Sequence, residues 1–208
     1  MNQRFLVLVD FQQDFVAENG ALTIDNPRLI SRVQQFADNL QKGMFEQIIV
    51  TRDNHLSETY ALTPEADSFP PHCLYGTPGT ELAVSLKDNI PVITLYKSTT
   101  DIWNELPNYK LLQQDWKGKE IYLAGVLSDI CVRKAMNGFL RRGAKVTVFE
   151  DLTQGLAVQT PEIIAAPQYA GAVDKGYLRQ ITAAQFFRAR LLEKKQQVNR
   201  LHSGREGK

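Results

Sequence analysis

The sequence predicts an α/β fold in which a parallel sheet is covered by helices on both faces. Three observations carry that expectation. Apolar runs of strand length alternate with stretches of helical length, as FLVLVD, PRLISRVQQFADNLQK, EQIIVTRD, a long loop, PVITLYK, EIYLAGV and KVTVFED. The runs IIV, VITL and IYLAGV are continuously apolar instead of alternating, which is what strands buried on both faces require. A composition of 208 residues, 43% hydrophobic and 23% charged, describes a single domain over 1–208 that is long enough to bury a real core.

Taken in order, the first strand ends at Asp10, the second at Asp53 and the third at Lys97, and Cys131 follows the fourth after the short turn LSDI. The carboxyl ends of parallel strands point the same way and ligands bind in the crevice outside them. These four residues are therefore expected to meet on one edge. Cys131 opens the helical run CVRKAMNGFLRRG, with Ser128 or Asp129 suited to cap it and Gly143 to end it. From about residue 195 to 208 the chain turns basic and then glycine-containing, and it reads as a frayed tail.

Charge and cysteine usage narrow the function classes. Lys and Arg number 24 against 23 Asp and Glu, a formal charge of +1, so nothing in the balance draws the chain to nucleic acid or to an anionic membrane. Small molecules or proteins are the expected partners. Two cysteines 58 positions apart form no disulfide framework and fit a reducing, cytoplasmic compartment. The opening MNQRFLVLVDF carries no targeting signal, and no apolar run approaches a membrane span.

The reactive residues fall into two groups. A cysteine near a helix amino terminus sits where the dipole favours thiolate, the form that attacks carbonyl carbon. A lone cysteine is more often an inert core thiol. Lys97 and Asp10 reverse that balance, because Lys and Asp are rarely buried unless paired and here both end strands beside it. The second group is Asp53, His55 and His72. T-R-D-N-H places a carboxylate and an imidazole two residues apart on a strand leaving the sheet, so both can face one side. A lone Asp-x-His pair is as well explained by capping or hydrogen bonding as by a metal. His72, fixed between Pro71 and Cys73 in SFPPHCLYGTPGTEL, raises the metal reading. Two imidazoles and a carboxylate with open positions suit Zn, Fe or Mn. Cys73 reads as a packing residue and Glu58 as a solvated loop carboxylate.

Together DFQQDF, TRDNH, SFPPHCLYGTPGTEL, the strand-ending Lys97 and GVLSDICVRKA resemble the nicotinamidases of the isochorismatase-like cysteine hydrolase superfamily, from about Phe5 to about Asp151. The resemblance implies a doubly wound three-layer sandwich with a central six-stranded parallel sheet. It also implies a catalytic triad of Asp10, Lys97 and Cys131, and a divalent metal, zinc first and Fe or Mn as alternatives, on Asp53, His55 and His72. It further implies oxyanion donors at Leu127 and Cys131, with a cis peptide between Val126 and Leu127. The resemblance also makes Phe15, Phe69 and Leu127 the walls around the substrate.

The implied reaction is hydrolysis of nicotinamide, or a related heteroaromatic amide such as pyrazinamide, to acid and ammonia through a Cys131 thioester. The alternative is a metal-independent member acting on a vinyl ether or a ureido or carbamoyl compound, and a catalytically silent binding protein is a third reading. Homo-oligomers are common in the family. Departures from its pattern fall at Asn54, Leu56, Ser98 and Leu127, which bear on substrate identity more than on the triad.

Overall fold

Residues such as FLVLV leave a strand no polar face, and a strand of that kind is stable only between two layers of helices. The computed structural model, which describes residues 3–203, places it there. Six strands, β1 (Arg4–Val9), β2 (Gln47–Asp53), β3 (Val92–Lys97), β4 (Glu120–Val126), β5 (Lys145–Gln154) and β6 (Leu178–Ile181), form one parallel sheet in the order β3-β2-β1-β4-β5-β6. Helices α1 (Gln13–Val16), α2 (Leu29–Asp38), α3 (Lys110–Gln113), α4 (Cys131–Arg141), α5 (Thr160–Ala165), α6 (Ala170–Asp174) and α7 (Ala183–Ser203) connect or follow the strands.

Alternation along β1 divides the core in two. Phe5, Val7 and Val9 join Trp103, Trp116, Met136 and Phe139 on one face, and Leu6 and Leu8 join Phe36, Phe45 and Phe186 on the other. Trp116 meets both Phe5 and Phe139 edge-on, at centroid distances of 5.2 and 4.9 Å. Each such pair adds roughly 0.5–1.5 kcal/mol beyond its buried area.

Strand order reverses at β1, which pairs with β2 on one side and β4 on the other. That reversal opens the crevice in which Asp10 and Cys131 lie. β4 can approach β1 closely only because Gly125 carries no side chain. Its φ is +115°, and a Cβ there would land on the backbone of Val9.

Three expectations are corrected by the structure, and one strand of the six implied lies outside the residue pattern. VITL is not buried on both faces, because β3 is an edge strand and leaves Val92 43% and Tyr96 46% exposed. The sixth strand, LRQI, escaped the residue pattern, being four residues long with polar positions between apolar ones. Neither Ser128 nor Asp129 caps α4. The cap residue is Ile130, while Ser128 Oγ donates to the Val158 carbonyl and Asp129 accepts the N–H groups of Leu156, Ala157 and Val158. These bonds tie the turn before Cys131 to the segment after β5. Residues 195–203 continue α7 as helix, and 204–208 lie outside the described residues. Among the described residues no helix is long and apolar enough to cross a membrane.

Candidate active site

Asp10, Asp53, Lys97 and Cys131 converge at the carboxyl edge of the sheet. The register pairs Asp53 with Lys97 directly across β2 and β3, and β1 lies beside β2. The buried Lys97 ammonium lies 2.7 Å from Asp10 Oδ2, contacts Asp53 Oδ1 and lies 3.8 Å from Cys131 Sγ. Asp10 is held on its other side by Thr51, whose hydroxyl donates to Oδ1 at 2.6 Å. Its backbone has a φ of +47°, a conformation in which Asp is several-fold enriched over other side chains and which is concentrated at functional sites.

The electrostatics of this group follow from burial first. Removing Lys97 from water lowers its proton affinity, but Asp10 and Asp53 more than restore it, so the ammonium is charged. Burial raises the Asp10 carboxyl above its ordinary value, with Lys97 opposing and Asp53 adding to the rise. Asp53 moves the other way. Its burial is outweighed by Lys97 and His72, and it stays ionised.

Cys131 is the first residue of α4, yet its thiol is not poised as thiolate. Burial pushes it well up, against the pull of Lys97. The dipole argument is corrected on this point, since desolvation in a closed site exceeds the effect of a helix end. A resting thiol beside a carboxylate of raised proton affinity is an arrangement for transferring a proton, not for storing a thiolate.

The turn between β4 and α4 contains a cis peptide between Val126 and Leu127. Around it Ser128 N–H donates to the Gln154 carbonyl, and Ile130 and Val132 N–H both donate to the Leu127 carbonyl. Leu127 itself is buried.

A second cluster adjoins the first through Asp53. The loop after β2 carries His55, the loop from 68 to 82 carries His72, and Glu65 comes from a short 3-10 turn, Pro64–Asp67. Backbone bonds hold the two loops together. His55 N–H donates to the Cys73 carbonyl at 3.0 Å and Tyr75 N–H to the His55 carbonyl at 2.7 Å. Asp53, His55, Glu65 and His72 are all buried, and one donor atom from each lies within 4.8 Å of every other.

The individual separations are 3.5 Å from His55 Nε2 to Glu65 Oε2, 3.6 Å from His72 Nε2 to Glu65 Oε2, and 3.8 Å from His72 Nε2 to Asp53 Oδ2. Bonds of ~2.1 Å to one ion would set neighbouring ligand atoms about 3.0–3.4 Å apart, whether or not further positions are left open. His72 Nδ1 lies 2.9 Å from the Pro70 carbonyl, which can only accept, so Nδ1 carries the proton and Nε2 offers its lone pair. Among the described residues, both ring nitrogens of His55 and both oxygens of Glu65 find no hydrogen-bond partner although they are buried. Orphaned polar atoms of this kind are costly in a fold that leaves them empty, and a cation would satisfy one nitrogen of His55 and the Glu65 carboxylate.

Without one, burial pushes Glu65 up to about 7, with Asp53 adding to the rise, and burial pulls His55 down. His72 is also pulled down by burial, but Asp53 and the Pro70 carbonyl hold it above its ordinary value.

Glu65 is the member that the sequence reading missed. Glu58, the loop carboxylate considered there, is exposed, whereas Glu65 is 7% exposed and aimed at both imidazoles. The rings of Phe15 and Phe69 stand 5.2 and 6.2 Å from His72, tilted at 58° and edge-on at 87°. Cys73 is buried, and its thiol, pushed up by burial, lies 3.8 Å from the Gly79 carbonyl, which fits packing.

A buried cysteine, lysine and aspartate at the crevice of a parallel sheet define a hydrolase of the cysteine-nucleophile class. The isochorismatase domain family matches residues 4–163, and the chain belongs to that family. It is 30% identical over 171 residues to the nicotinamidase/pyrazinamidase of Mycobacterium tuberculosis, covering 76% of this chain and 89% of that protein. It is 26% identical over 199 residues to the nicotinamidase of Saccharomyces cerevisiae, covering 76% and 91%. The fold is similar to that of a pyrazinamidase from Pyrococcus horikoshii in complex with zinc, with a TM-score of 0.65, 22% identity and coverage of 86% and 99%.

Proposed function

We propose that this protein is a metal-dependent cysteine amidohydrolase, one domain over 1–208, that cleaves the carboxamide of nicotinamide or a related heteroaromatic amide such as pyrazinamide. The observation that carries this reading is the single Lys97 ammonium touching Asp10, Asp53 and Cys131 at once, with the orphaned His55 and Glu65 alongside. The curated relatives named as nicotinamidases support the substrate class.

Asp10 takes the Cys131 proton while Lys97 offsets the developing charge, and the sulfur attacks the carboxamide carbon. The resulting oxyanion is held by the backbone N–H groups of Leu127 and Cys131. Asp10 returns its proton to the departing nitrogen, releasing ammonia and leaving an acyl thioester on Cys131. Water, losing a proton to Asp10, cleaves the thioester to the carboxylic acid and restores the thiol.

Phe15, Phe69 and Leu127 wall the ring so that its carboxamide faces the sulfur. Asp53, His55, Glu65 and His72 would hold the cation, which supplies a Lewis-acidic anchor for the substrate's ring nitrogen. Zinc is the cation we assign, supported by two imidazoles with two carboxylates and by the zinc-bound Pyrococcus neighbour. Iron and manganese suit the same ligands. A metal-independent reaction on a vinyl ether or ureido compound is not favoured, because it would leave the His55 and Glu65 donors buried and unpartnered. A cytoplasmic setting is supported by two free cysteines. Homo-oligomeric assembly rests on the family resemblance, and light scattering tests it.

Ammonia release from nicotinamide tests the activity. It is expected from the zinc-loaded protein and not from Cys131→Ala or after chelation. Full activity in the chelated protein would overturn the metal-dependent reading.

A further inference from the structure

We propose that Gln12 and Asp14 are positioning residues, holding two of the three metal-bearing segments in place from the single stretch DFQQDF. The inference rests on the metal reading above and assigns it supports that lie outside the ligand set. Gln12 is fully buried. Its Nε2 donates to the Asp53 carbonyl at 2.8 Å and to the Thr80 carbonyl at 3.1 Å, and its Oε1 accepts the Asp53 N–H at 2.7 Å. One side-chain amide therefore fixes both backbone groups of the residue that lies between Lys97 and His72.

Two residues on, Asp14 Oδ2 accepts the N–H of Cys73, the residue after His72, at 2.6 Å, and Oδ1 accepts the N–H of Ala21 at 3.1 Å. Cys73 has a φ of +45°, which side-chain-bearing residues adopt rarely, so its N–H direction depends on a firm acceptor. The next constraint is Gly79. A Cβ there would fall on the Asp14 carboxylate, so the GTPG stretch is built around that side chain.

Hydrogen bonds of this kind could serve loop stability alone. Three of the five argue otherwise, since they clamp the carbonyl and N–H of Asp53 and the N–H of Cys73 beside His72, and ligand atoms must be held within about 0.5 Å for a cation to bind well. Because Asp53 also pairs with Lys97, Gln12 acts on both halves of the site. Asp14 acts on the His72 side only.

The test is the zinc dissociation constant, read by competition with a chromogenic chelator, for wild type, Gln12→Ala, Asp14→Ala, Gly79→Ala and the Asp14→Ala/Gly79→Ala double variant. Circular dichroism verifies folding. Each single variant is expected to weaken zinc binding about 10–100-fold. The double variant is expected to bind no more weakly than Asp14→Ala, because the absent carboxylate leaves room for the new methyl. Modification of Cys131 by a thiol reagent should change rate in Gln12→Ala and not in Asp14→Ala. If Asp14→Ala does not fold, Asp14→Asn, which keeps the size of the side chain and one acceptor oxygen, replaces it in the single-variant comparison. Affinities within twofold of wild type, or fully additive losses in the double variant, would overturn the proposal. A wild type that binds no zinc would overturn the metal reading itself and this inference with it.

Discussion

The two halves of the site are built by different means. Asp10, Lys97 and Cys131 take their positions from the ends of regular elements, β1, β3 and the start of α4, so sheet register and the β4–α4 turn bring them together. His55, Glu65 and His72 sit on loops that no sheet register positions, and they are held by local bonds such as His55 N–H to the Cys73 carbonyl and by the Tyr60 hydroxyl. Asp53 belongs to both. The proposed triad is thus a product of topology and the proposed metal cluster a product of loop packing, and perturbations should separate them.

The largest effect is expected from Cys131→Ala. It should lower kcat for amide hydrolysis on the order of 10⁴-fold, about 5 kcal/mol, while leaving zinc affinity unchanged. Steady-state ammonia release and chelator competition on one preparation check both halves. A joint loss would show that the clusters are not separable.

Next comes Lys97→Met. It strands the two buried carboxylates, Asp10 and Asp53, beside each other and should cost about 3–5 kcal/mol of stability in denaturant unfolding. An unchanged midpoint would mean that the pair is not charged as described.

The metal cluster should announce itself through pH. With its folded value raised to about 7 from 4.5, Glu65 contributes stability to the metal-free protein that is complete below about pH 4.5 and lost as pH rises through about 7. A cation needs the carboxylate ionised, so the sign reverses on loading. The rise in Tm on adding zinc should therefore grow between about pH 5.5 and about pH 7.5 in a thermal melt, and Glu65→Gln should flatten that growth.

The smallest effect is expected from Tyr60→Phe. Its hydroxyl lies 3.1 Å from His72 Nδ1 and 2.9 Å from the Pro70 carbonyl. Losing it should cost about 1 kcal/mol and a few-fold in zinc affinity, with kcat at saturating metal preserved.

The same division explains what was legible in the sequence. Asp10, Asp53 and Lys97 stand at the ends of apolar runs, and the parallel alternation of those runs implies that their ends share an edge. Glu65 had no such mark. In ETYALTPEADSFP nothing separates it from Glu58 or Asp67, and only the packing of the Pro64–Asp67 turn turns it inward. β6 was hidden because a short strand pairing only with β5 can carry polar residues. Ser128 and Asp129 have the composition of caps but bond instead to the segment after β5, a tertiary contact that local chemistry does not encode. The closed environment of Cys131, which decides its proton affinity, likewise depends on segments far along the chain.

The central claim is that Cys131, with Asp10 and Lys97, attacks the substrate and carries its acyl group. Rapid acid quench of the zinc-loaded protein turning over nicotinamide, followed by mass analysis of the peptide containing Cys131, tests it most directly. The account predicts an added nicotinoyl group on that sulfur, formed and consumed with the turnover. Nicotinate produced at an undiminished rate with Cys131 unmodified, and equally by Cys131→Ala, would contradict it.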